Sequence, residues 1–195
     1  MLYINQREYA HVPYNHNTDF GGAPEERRNV GTSGCGICCG CMIVDHLTTY
    51  RLTVEECVRL AEDSGANKFI GTSLRVLGPV IAEKFGLAFS TTSDRGELLA
   101  HLSRGGAAIA HIGGDREEHI GLFSHKGHYV TVIAADAETQ TACILDPTGS
   151  DPGKFDEPGR IGKVRIDKPF IYCSIDDLMK DVEPRNPGFY LFRRK

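Results

Sequence analysis

Along the first half of the chain apolar residues recur with helical spacing, and along the second half they fall into short runs broken by turns. Leu2 to Ile4 reads as a short strand, followed by Asn5-Gln6 and the aromatic-rich Tyr9 to Tyr14. Residues 15 to 33 are polar and hold Gly21-Gly22, Pro24 and Glu25-Glu26-Arg27-Arg28, a long surface loop of the kind that is usually functional or mobile. Met42 to Val44 and on to Leu47 reads as part of a buried helix over about 36 to 49. Thr53 with Glu56 three residues on forms a capping box for a second helix, whose Val54, Cys57, Val58, Leu60 and Ala61 line one face before Gly65. A third helical pattern, Leu74, Leu77, Val80, Ile81 and Phe85, ends at Gly86, and Pro79 is expected to kink or split it.

From Leu87 the texture changes. Leu87 to Phe89 predicts a strand, Asp94 to Leu102 a capped helix, and Ala107 to Ile112 a buried strand. After the polar stretch Gly113 to Lys126, His128 to Ala135 and Thr141 to Leu145 predict a hairpin turning at Asp136 to Thr139. A loop over 146 to 162 leads to strands near Lys163 to Ile166 and Phe170 to Tyr172, a short helix capped by Ser174, and a last strand Phe189 to Phe192. Helices first and an antiparallel sheet second is an α+β arrangement, and 195 residues suit a single domain spanning 1–195.

Composition narrows the function. The net charge of −4 and the lack of a Lys/Arg run argue against nucleic acid and against an anionic membrane as partners, which leaves a peptide or a small molecule. No apolar stretch is long enough to cross a bilayer, and the N-terminus lacks the basic and apolar regions of a signal peptide, so the expected location is cytoplasmic for the chain as given and secreted if a signal has been trimmed from it. Seven cysteines, four of them between positions 35 and 41, do not form a spaced disulfide framework, and reduced thiols are expected.

One of those cysteines stands apart. Cys35 falls between Gly34 and Gly36 at the start of the buried helix, where unpaired N–H groups and the helix dipole favour thiolate over thiol. The flanking glycines are expected to leave room for a substrate carbonyl to approach the sulfur. A base follows from pairing: a hairpin centred near residue 137 sets His128 opposite Asp146, with Cβ atoms ~5 Å apart, so the carboxylate can orient the imidazole. Gly127 and Pro147 end the two strands there, at an edge of the sheet open to substrate.

Asn5-Gln6, Ser33-Gly34-Cys35-Gly36, Gly127-His128-Tyr129-Val130 and Asp146-Pro147, in that order, resemble the bacterial papain-like cysteine peptidases related to the double-glycine leader peptidases of bacteriocin exporters. The resemblance spans about residues 3 to 147. It implies a papain-like fold with a helical N-terminal half packed on an antiparallel sheet. It implies Cys35 as nucleophile, His128 as base, Asp146 as orienting group and Gln6 as oxyanion donor, with no metal or organic cofactor. A transferase on the same scaffold, or a peptide-binding module that has lost turnover, are the other readings.

The remaining polar residues carry less. Cys38, Cys39, Cys57, Cys143 and Cys173 read as small buried apolar side chains, and Cys35-x-x-Cys38 has no second pair with which to build a metal site. His111 lies in an apolar strand and reads as a core histidine, His119 and His125 are the rival bases, and His16 with Asp19 reads as part of a solvated loop. The Asp/Gly run from Asp146 to Asp156 lacks the ligand spacing of a calcium loop.

Overall fold

The computed structural model describes residues 1–14, 24–67 and 71–195; the expectations for His16 and Asp19 lie outside them. Four helices precede most of the sheet: α1 (Val30–Ser33), α2 (Cys35–Leu47), α3 (Val54–Asp63) and α4 (Leu74–Lys84). Then come β1 (Leu87–Thr92), α5 (Arg95–Ser103), β2 (Ala107–Ile112), β3 (His128–Asp136), β4 (Thr141–Leu145), β5 (Val164–Asp167), β6 (Phe170–Ser174), α6 (Ile175–Val182) and β7 (Phe189–Arg194). The caps fall where the sequence puts them. Thr53 and Glu56 close a full capping box on α3, and Asp94 and Ser174 accept from the third residues of α5 and α6. Pro79 lies within α4, which runs unbroken through it, so the helix is not split.

The strands form one antiparallel seven-stranded sheet in the order β1-β7-β2-β3-β4-β6-β5. Both faces are covered. One core joins α2, α3 and α4 to Ala107, Ile109, Tyr129, Leu145, Tyr190 and Phe192, and the other joins α5 and α6 to Ala108, Ala110, Ile112, Val130, Val132, Ala142 and Ile144. Adjacent residues of β2 therefore serve opposite cores, which is why that strand reads as a continuous apolar run.

Helix α2 is enclosed on nearly all sides, with ten of its thirteen residues buried. Its crowd of small residues explains how. A Cβ on Gly40 would stand 2.7 Å from Ile81 Cδ1 of α4, and the Cys41 and Cys57 thiols donate to the carbonyls of Thr53 and Ile37. The cysteine run thus lets a helix pass through the core with neighbours close on several sides.

Two expectations fail. Leu2 to Ile4 is not a strand: the Leu2 N–H donates to the Asp45 carboxylate, and the chain then turns into a 3-10 helix at Gln6–Tyr9. The hairpin also turns later than expected, through Ala137 to Gln140, because Gln140 adopts a left-handed conformation (φ 53°) and belongs to the turn. Paired residue numbers add to 277 from Asp136↔Thr141 to Ala134↔Cys143 and to 276 at Val132↔Ile144 and Thr131↔Leu145, with a β-bulge at Ile133 between the two registers. Continued outward, the second register sets Asp146 across from Val130, one diagonal step from His128 and of the same parity.

Candidate active site

Cys35 is the first residue of α2, where helical N–H groups have no partner within the helix. It is partly exposed, whereas Cys38, Cys39, Cys41, Cys57 and Cys173 are buried. Cys143 is partly exposed, not buried as its sequence context suggests, because it sits on β4 beside Tyr172. The helix is entered from α1, which Asn29 caps, so the expected turn is itself a short helix hinged at Gly34. Gly34 and Gly36 serve packing more than substrate access: a Cβ on Gly34 would lie 2.6 Å from the Val30 carbonyl oxygen, and one on Gly36 2.7 Å from Thr72 Cβ.

His128 opens β3, and its Nε2 lies 2.9 Å from Asp146 Oδ1. The other ring nitrogen, Nδ1, is the one left for Cys35, which lines the same cleft. His128 is 6 % exposed and Asp146 fully buried, so their interaction is little screened. Asp146 has further partners. Its Oδ1 accepts from the backbone N–H and the hydroxyl of Thr148, both at 2.8 Å, and its Oδ2 is ion-paired with Lys154, whose ammonium also donates to Thr148 Oγ1 at 2.7 Å. Lys154 lies in a 3-10 turn, Pro152–Phe155, inside what reads as an unstructured loop, and nothing local in the sequence marks it.

These contacts set the charges. Burial alone raises the Cys35 pKa, but the hydrogen bond and charge of His128, with backbone N–H bonds from Tyr129 and Gly36, bring it below the ordinary thiol value. Burial alone lowers the His128 pKa, but the Asp146 carboxylate and the Cys35 sulfur raise it to about 9. Burial opposes ionisation of Asp146 as well, yet His128 and Lys154 hold its pKa well below the usual carboxylate range. Burial keeps Cys38, Cys39 and Cys41 protonated, with pKa values well above the ordinary thiol value.

Gln6 is buried within the same cleft as Cys35, held there by its backbone N–H, which donates to the Pro147 carbonyl at 2.8 Å. Its Nε2 donates to the Gly31 carbonyl at 2.9 Å, which leaves a second amide hydrogen, and its Oε1 is buried without a hydrogen-bond partner. The neighbouring Tyr3 hydroxyl donates to the Asp146 carbonyl at 2.9 Å, so the N-terminal segment braces the strand end that carries Asp146.

The rival histidines are elsewhere. His119 pairs with buried Asp181 at 2.6 Å, and His125 bridges Asp115 and Glu157, each at 2.8 Å. His111 is not a sealed core residue: it is half-buried, stacks on Tyr129 with ring centroids 4.6 Å apart, and lines the cleft. The cleft that holds Cys35 and His128 has a volume of ≈430 Å³, and a larger depression of ≈1030 Å³ beside α5 is lined by none of Cys35, His128, Asp146 and Gln6. Among the described residues, no three His, Cys, Asp or Glu side chains converge in a way that could hold a metal ion.

By sequence, no protein-family model and no curated protein matches the chain. By structure, it is similar to the peptidase domain of Streptococcus ComA, a bifunctional ABC transporter involved in a quorum-sensing pathway. That likeness has a TM-score of 0.52 at 16 % identity and covers 84 % of this chain and 93 % of that one. It is also similar to a C39-like peptidase from Bacillus anthracis, with a TM-score of 0.53 at 12 % identity over 83 % of this chain and 88 % of the other. The fold is therefore that of the papain-like C39 peptidase domains, as the sequence resemblance implies.

Proposed function

We propose that the chain is a cysteine peptidase or amide hydrolase that works through Cys35, His128 and Asp146, with Gln6 in the oxyanion hole. The observation that carries this reading is the imidazole of His128, bonded through Nε2 to buried Asp146 and lining the same cleft as Cys35 at the head of α2. The lowered pKa of Cys35 and the raised pKa of His128, about 9, both favour a thiolate and imidazolium pair.

In the proposed cycle the Cys35 thiolate adds to a substrate carbonyl carbon. The resulting oxyanion takes hydrogen bonds from the Cys35 N–H and from the Gln6 Nε2 hydrogen that Gly31 leaves unused. As the tetrahedral intermediate collapses, the His128 imidazolium gives its proton to the leaving amine and a thioester remains. Neutral His128 then takes a proton from water, which attacks the thioester, releases the acid and regenerates the thiolate. Asp146 fixes the ring and stabilises its cationic form throughout.

Treatment with a neutral peptidyl electrophile below about pH 7, followed by mass mapping, tests the reading. Cys35 should carry the label almost alone, and Cys35→Ser should fold but hydrolyse no peptide. Slow, even labelling over several cysteines would sink the assignment.

A further inference from the structure

The walls of the cleft carry a charge that the proposed chemistry does not use. Arg27, Lys126 and Arg185 line the same cavity as Cys35 and His128, and among the described residues no Asp or Glu does. The chain as a whole bears a net charge of −4, so the cleft is opposite in sign to the molecule around it.

Arg185 is the most closely held of the three. It follows α6, and its Nη2 sits where a side chain on residue 127 would go: a Cβ on Gly127, the residue before His128, would be 2.8 Å away. Its Nη2 has only a long bond, 3.4 Å, to the Gly113 carbonyl, and its Nε is buried with no hydrogen-bond partner. A buried guanidinium N–H without an acceptor is costly, and a carboxylate is the acceptor that matches its fork. His111, which also lines the cleft, is kept neutral, its pKa lowered to about 4 by burial and by Arg185 and Arg75, so it adds an uncharged face near the cation.

We infer that the cleft selects substrates carrying a carboxylate close to the scissile bond, which docks on Arg185 in the field of Lys126 and Arg27. The inference rests on the peptidase reading and names its substrate class. The carboxylate belongs either to an acidic side chain or to a free C-terminus, and the test separates the two.

Alkylation of Cys35 reads the cleft without any knowledge of the substrate. The ratio of its rate with anionic iodoacetate to its rate with neutral iodoacetamide should fall about threefold to tenfold in Arg185→Met, partly recover in Arg185→Lys, and fall with added salt in the wild type. Lys126→Gln, on an exposed loop residue, should lower the ratio less and serves if the Arg185 variants fail to fold. Peptides with Asp or Glu scanned through the flanking positions, against Asn or Gln at the same positions and against free or amidated C-termini, locate the carboxylate. A preference of at least about tenfold in kcat/KM for one acidic series, lost in Arg185→Met, is the expected result. An alkylation ratio indifferent to both residues, or peptides cut equally well with carboxylate or amide, overturns the inference. A chain that labels only at Cys35 yet cuts no peptide overturns the peptidase reading, and with it the substrate class, while the ratio still decides whether Arg185 makes the cleft cationic.

Discussion

Asp146 takes part in two charge pairs at once, and the two set the pH range over which His128 stays protonated. His128 faces it through Oδ1 and Lys154 through Oδ2. Replacing Asp146 by Asn removes the chief cause of the raised His128 pKa, so the alkaline limb of kcat/KM should move from about 9 toward the ordinary histidine value of about 6.5. Replacing Lys154 by Met leaves the carboxylate less neutralised, and the same limb should move up. Opposite displacements in the two pH profiles are expected; displacement in one direction by both would mean that Lys154 only supports the loop. Asp146→Asn should also lower stability by a few kcal/mol, since it strands Lys154, a cation mostly withdrawn from water. At this scale the sequence is uneven. Cys35, His128, Asp146 and Gln6 each stand in a short motif whose order along the chain is informative. Lys154 and Arg185 stand in no motif: Lys154 meets Asp146 only because the loop after β4 folds back through a 3-10 turn, and Arg185 reaches Gly113 from a point 72 residues further along the chain.

Helix α2 is where a single element bears directly on the site. Gly36→Ala would press a methyl against Thr72, and since overpacking costs about 1–3 kcal/mol, relief comes from shifting the helix end that carries Cys35. The expected result is a loss of kcat well beyond the loss of thermal stability, measured on the same preparation. Equal losses would mean that the strain spreads through the core. Periodicity and caps make most elements legible: β2 and β4 fall on their expected residues, and α3, α5 and α6 start at their capping residues. The misses share a cause. Leu2 to Ile4 has strand composition, but its backbone is tied to Asp45 and, through the following residues, to Pro147. In the hairpin, no local propensity distinguishes a Gln that extends the strand from one that turns left-handed at its start.

Across the whole molecule, Cys35 and His128 act on the pH dependence of stability in opposite directions. Because the folded pKa of His128 is raised, its stabilisation is complete below about pH 6.5 and fades as pH rises through about 9. The lowered pKa of Cys35 acts in reverse, adding stability as pH rises toward the free-thiol value of about 8.5. Between the two unfolded values the unfolded pair holds one proton, on the cysteine, and as the folded cysteine ionises beside protonated His128 the folded pair comes to hold one as well, so the two slopes oppose each other. Between about pH 6.5 and 8.5 the wild-type melting temperature should vary less with pH than that of Cys35→Ser, which should decline over the same range. Parallel curves would exclude a thiolate and imidazolium pair. The bulge at Ile133 has a reach of the same global kind. The step of 18 positions from His128 to Asp146 is a counted length, in which an odd gain or loss within a strand trades inside for outside while a change of residue type leaves the tally intact. One residue inserted at the hairpin tip should be absorbed by the loop and spare activity, whereas deleting Ile133, far from any reacting atom, should lower kcat/KM by about 10²-fold or more. In this fold the distance between His128 and Asp146 is kept by arithmetic along the chain.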